Sequence, residues 1–152
     1  MRDLFDTVMS FYDHLTNAET STPSAFTNRQ IWDALDPQTR LSFIVDLIVP
    51  WHFNFYCGWV TSTFCAHGRI KLVTYDELRN DTLGTVSSLL DYCGEARESA
   101  QIQAALDRQK TRKNRLNKGI VGRGAALPDS LKEHVRSFTR YYPDVDFSPL
   151  GL

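Results

Sequence analysis

A single short run in this chain reads as a β-strand, and one strand cannot make a fold. Ile70–Thr74 (IKLVT) is rich in β-branched residues, follows Gly68 closely and gives way at once to the polar YDELRND. Its backbone N–H and C=O groups need partners that a lone strand cannot supply. Either a second strand is hidden elsewhere in the sequence or the sheet lies outside it.

Helix signals dominate the rest. Asp3 can cap a helix whose apolar positions Leu4, Val8, Phe11 and Leu15 recur at helical spacing. The chain therefore begins within what reads as a strand-to-helix junction. After the polar stretch Asn17–Pro23, Thr27 and Gln30 form a capping box for a short helix ending near Leu35. Asp36–Pro37 supplies cap and first turn for the next, through about Leu47. Pro50–Ala66, aromatic-rich, is expected to be buried and mostly helical. Leu83, Val86, Leu90 and Cys93 mark a helix stopped by Gly94, and another runs from about Glu98 to Gln109. Ser130 and Glu133 make a further capping box for a helix using Leu131, Val135, Phe138 and Tyr142, ended by Pro143. No internal repeat or second domain is visible.

Bulk composition narrows the function classes. With 152 residues, 42% hydrophobic content and a net charge of −1, the chain suits one globular domain. The near-neutral balance argues against a general nucleic-acid or membrane-surface binder. The apolar-leaning stretch Leu41–Ala66 is broken by Asp46, Pro50, His52, Asn54 and Gly58, so no spanning helix is expected, and no signal peptide is seen. Cys57, Cys65 and Cys93 lack zinc or CxxC spacing, which predicts buried or neutral thiols in a reducing cytoplasm, and no metal.

The segment that carries chemistry is Lys110–Gly124, KTRKNRLNKGIVGRG. It holds six basic residues (Lys110, Arg112, Lys113, Arg115, Lys118, Arg123) and no acid, with Gly119, Gly122 and Gly124 in its second half. Glycines allow backbone N–H groups to turn toward an anion, while Lys and Arg add charge-assisted hydrogen bonds. Taken alone, such a run is more often a solvated loop. Arg2, just before a helix start, and Ser10, two turns inside it, can together hold a phosphate near that helix N-terminus.

RDLFDTVMSFYDHL, IKLVTYDELRND and RLNKGIVGRG, in this order, resemble the C-terminal half of sulfotransferases that use 3′-phosphoadenylyl sulfate (PAPS). The resemblance covers nearly the whole chain, including the ending YYPDVDFSPLGL. It implies a P-loop-type α/β fold, of which residues 1–152 form a partial domain, mostly helical with one or two short strands. It places Arg2 and Ser10 on the 3′-phosphate of PAPS or of the desulfonated 3′,5′-phosphoadenosine, and Tyr75 beside the adenine. The family's Arg-Lys-Gly element reads Asn117-Lys118-Gly119 here, so Lys118 and Gly119 carry over and the Arg does not. Arg115 or Arg123 is then a candidate to compensate.

The family's 5′-phosphosulfate loop and catalytic base precede the Arg–Ser element, and only Met1 precedes Arg2. None of His14, His52, His67 and His134 matches that base by position, although His52 is a candidate to line an acceptor pocket. The expected function is sulfotransferase-like: the chain supplies the 3′-phosphate and adenine half of the donor site for an unidentified hydroxyl or amine acceptor, with little transfer on its own. Two alternatives are a non-catalytic nucleotide-binding or interaction module and a helical RNA-backbone binder. The net charge weighs against the latter. Sheet edges left unpaired make self-association a further expectation.

Overall fold

The computed structural model describes residues 1–17, 28–110 and 120–152, and these are overwhelmingly helical. Helix α1 (Leu4–Asn17) is followed by α2 (Arg29–Ala34), α3 (Pro37–Leu47), α4 (Val49–Val60) and α5 (Thr63–Ala66). Then come α6 (Tyr75–Asn80), α7 (Thr82–Tyr92), α8 (Ser99–Lys110) and α9 (Asp129–Ser137). Short 3₁₀ turns lie at Arg123–Ala126, Phe138–Tyr141 and Ser148–Leu150.

The expected α/β character is overturned: among the described residues there is no strand and no sheet. Ile70–Thr74 forms no regular element, and among the described residues its backbone pairing stops at one residue, Thr74, which is extended. The Met1 amine donates to the Val73 carbonyl, and Tyr75 N–H donates to the Met1 carbonyl at 2.5 Å. These two bonds flank Thr74 in the pattern of a parallel ladder. One residue of pairing does not make a strand, so the run is a linker into α6.

Local chemistry explains where the helices begin and end. Asp3 Oδ1 accepts from the Asp6 N–H at 2.8 Å and caps α1. Asp36 accepts from the N–H groups of Gln38 and Thr39, with Pro37 in the first turn of α3, as the sequence predicts. The cap of α2 is Asn28, which accepts from Ile31 N–H at 3.0 Å. The expected capping residue Thr27 lies outside the described residues. At α9 the expected Ser130–Glu133 box is absent, because the helix starts two residues earlier, after Pro128, with no side-chain cap. A reciprocal box forms instead at Thr74–Glu77 and starts α6. Gly94 ends α7 as expected: with φ of +74° it lets Glu95 N–H reach the Leu90 carbonyl and Gly94 N–H the Asp91 carbonyl.

The core lies between α1, α3, α4, α9 and the C-terminal turn. Leu4, Val8, Ile44, Val45, Val49, Phe53, Leu127 and Val135 are fully buried there, with Trp32 from α2. Phe147 packs against Phe53 and Tyr56, and the Tyr56 hydroxyl donates to the Asp146 carbonyl at 2.6 Å, tying the tail down. Helices α7 and α8 pack on each other outside this cluster. No residue of α7 is fully buried, and Ile102 of α8 shares an open groove of about 770 Å³ with Val86 and Leu90. The expectation that the aromatic segment is buried holds for one face of α4 only: Trp51, Phe55 and Trp59 are exposed.

Candidate functional site

Two elements far apart in sequence meet at the N-terminus of α1. The single pairing at Thr74 brings the start of α6 beside Arg2, and the Arg2 guanidinium lies over the Tyr75 ring, 5.1 Å from its centroid. Arg2 also donates from Nη2 to the Ile120 carbonyl at 3.2 Å. Ile120 is the first described residue after the basic segment. Arg2 Nε is buried and has no acceptor among the described residues, which is costly for a charged donor.

Beside this pair is a cavity of about 170 Å³ lined in part by Asp3, Asp6, Asp76, Val121 and Gly151. Its electrostatics are mixed. Burial pushes the Asp3 carboxyl above its usual range, partly opposed by the Asp6 N–H it accepts. Asp6 is 2% exposed, but its charge is met by two backbone donors. Gly122 N–H reaches Oδ2 at 2.9 Å and Gly124 N–H reaches Oδ1 at 2.6 Å.

Those two bonds show what the described end of the basic segment does. Its glycine N–H groups do hold an anion, and that anion is the carboxylate of Asp6. One turn pair further along α1, Asp13 takes the neighbouring cation: Arg123 Nη2 lies 2.5 Å from Asp13 Oδ2, with the side chains only 15% and 12% exposed. Asp6, Ser10 and Asp13 follow at i, i+4 and i+7, so all three lie on the face of α1 that meets the Gly122–Gly124 turn. Gly124 is pressed so closely on α1 that a Cβ there would stand 2.4 Å from Phe5 Cβ. Arg123 is paired with Asp13 in this structure.

Of the sequence-nominated residues, the structure joins Arg2 to Tyr75. Ser10 is half-buried on the stripe facing the glycine turn and does not line the Arg2–Tyr75 cavity. Arg115, Asn117, Lys118 and Gly119 lie outside the described residues. Asp6 and Asp13 were not singled out in the sequence. The available signal was a helix with two acids on one stripe and a loop with cations and no acid.

The histidines do not converge. His14 and His67 are exposed, and His134 Nε2 lies 3.0 Å from Asp46 on the surface. His52 is half-buried against Phe11 and Trp51, with Nδ1 3.1 Å from the Ile48 carbonyl. That carbonyl requires Nδ1 to carry the proton. Burial lowers the imidazole pKa despite this hydrogen bond. Of the three free thiols Cys57 is buried, Cys65 is half-buried and Cys93 is exposed.

Among the described residues no group of three His, Cys, Asp or Glu side chains is placed to hold a metal ion, and no helix is long and apolar enough to cross a membrane. No protein-family model, no curated protein and no solved structure matches the chain significantly.

Proposed function

We propose that this chain binds a 3′-phosphorylated adenosine nucleotide and forms that half of a sulfotransferase-like donor site. The observation that carries the reading is the meeting of Arg2 and Tyr75, 73 positions apart in sequence, at the start of α1. One offers a guanidinium whose Nε has no acceptor among the described residues, and the other an aromatic ring for a base. A phosphate that accepts from Arg2 would satisfy this orphan donor.

Electrostatics select the side of approach. Asp3, Asp6 and Asp76 around the small cavity disfavour an anion inside it. The phosphate is therefore assigned to the Ile120 side of the guanidinium, with Lys118, Gly119, Asn117 and Arg115 as the proposed companions and Ser10 as the proposed hydroxyl donor from the α1 stripe. The desulfonated donor, 3′,5′-phosphoadenosine, and PAPS share this half of the ligand. The acceptor, a hydroxyl or amine, is not addressed by these residues.

Calorimetric titration tests the reading with adenosine 3′,5′-bisphosphate and with adenosine 5′-monophosphate. One charge-assisted contact contributes about 1.5–3 kcal/mol, so the bisphosphate is expected to bind on the order of tenfold to a hundredfold tighter. Equal affinities, or no binding of either, would refute it.

A further inference from the structure

Helix α4 presents an aromatic ladder that its own fold leaves uncovered. Trp51, Phe55 and Trp59 are 56%, 51% and 46% exposed and follow one another at i, i+4 and i+8. Trp51 and Phe55 stack with centroids 5.6 Å apart, and Phe55 meets Trp59 edge-on at 6.3 Å. Leu47, the last residue of α3, stands four positions before Trp51 and is 45% exposed. The opposite face of α4 carries Val49, Phe53, Tyr56 and Cys57, all buried in the core. From Leu47 to Ala66 no Asp, Glu, Lys or Arg occurs. A helix that is uncharged on every side and carries large aromatic residues on two faces belongs largely in an interior, and the monomer covers only one of those faces.

We infer that the exposed face of α4 is covered by the same face of a second copy of this chain, the two helices antiparallel about a twofold axis near Phe55. The order Trp51, Phe55, Trp59 reads the same in both directions. A twofold through Phe55 therefore sets each Trp51 against the partner's Trp59 and Phe55 against itself, as an isologous contact requires. The absence of charge removes the like-charge repulsion that normally opposes self-pairing, and offers nothing to steer an oppositely charged partner.

Area agrees with this occupant. An aromatic side chain contributes about 150–250 Å² when buried, so three half-exposed rings with Leu47 leave roughly 300–450 Å² of apolar surface per copy. About 60% of an interface is apolar. The whole contact then comes to roughly 500–750 Å² per copy, within reach of the ~800 Å² of a standard interface and around the ~1,000 Å² total that marks a biological one.

Sedimentation equilibrium on the full chain, from low to high micromolar concentration, tests the dimer. A mass rising from 17.4 kDa toward twice that value is expected, with blue-shifted Trp51 and Trp59 emission over the same range. Phe55→Glu, and separately Trp59→Glu, should raise the dimer dissociation constant by about thirtyfold or more while leaving far-UV circular dichroism unchanged. Both side chains are exposed in the monomer, so failure of both variants to fold would itself contradict the assigned surface. A monomer at every concentration overturns the proposal, as does a dimer untouched by both substitutions. Binding of monomer to neutral phosphatidylcholine vesicles without self-association overturns it in favour of a lipid surface.

Discussion

At the scale of single residues, Asp6 is the hinge of this structure. Both carboxylate oxygens accept backbone N–H groups from the glycine turn, and the side chain is buried. In Asp6→Asn one of those donors faces an amide NH₂ instead of an oxygen. The expected loss is about 1–3 kcal/mol, read in urea unfolding as a lower midpoint with an unchanged slope. Gly124→Ala forces a methyl group against Phe5 Cβ and the Asp6 N–H, so a loss of similar size, about 1–3 kcal/mol, is expected in the same measurement.

His52 gives a pH prediction with a defined sign. Its folded-state pKa is lowered by burial, so between that value and the ordinary imidazole value of about 6.5 the unfolded chain binds more protons. The contribution of His52 to stability is full above the ordinary value and declines as pH falls through this window. NMR titration should find His52 titrating below the ordinary imidazole value of about 6.5. Titration at or above that value would contradict the burial described for it.

Among the elements, much was legible where a side chain and its backbone partner are close in sequence. Asp3, Asp36–Pro37 and Gly94 announced their helix boundaries, because a cap needs only residues within one turn of it. The Thr74–Glu77 box was present as T-Y-D-E but was hidden by a β-branched run that read as strand. Strand identity depends on a neighbour, and among the described residues Ile70–Thr74 has a backbone partner at one position only, so its composition misled. The box makes a local prediction. Thr74→Ala should speed amide exchange in the first turn of α6 without altering global unfolding, since the Thr74 hydroxyl accepts from Glu77 N–H and its own N–H is held by the Glu77 carboxylate. Unchanged exchange there would remove the box from the account. The aromatic segment was read as buried because aromatic content does not distinguish one covered face of α4 from two.

For the molecule as a whole, the sequence drew attention to a basic, glycine-bearing segment but not to the charge that already answers part of it. Asp6 and Asp13 lie more than a hundred positions away from their partners, and pairing over that separation is written in no local pattern. The described end of the segment clamps the C-terminal region to α1, while the proposed phosphate chemistry rests with Arg2 and the residues before Ile120. Arg2 and Tyr75 were nominated separately by resemblance, and their juxtaposition is a product of the fold.

The central claim is that these two residues do different work on one nucleotide, and a binding cycle separates them. Affinities for adenosine 3′,5′-bisphosphate and adenosine 5′-monophosphate are measured for the native chain, Arg2→Gln and Tyr75→Ala. Arg2→Gln should abolish the preference for the 3′-phosphate, whereas Tyr75→Ala should weaken both nucleotides alike, by about 1–3 kcal/mol for one stacked base, and keep the preference. A 3′-phosphate preference that survives Arg2→Gln would contradict the account.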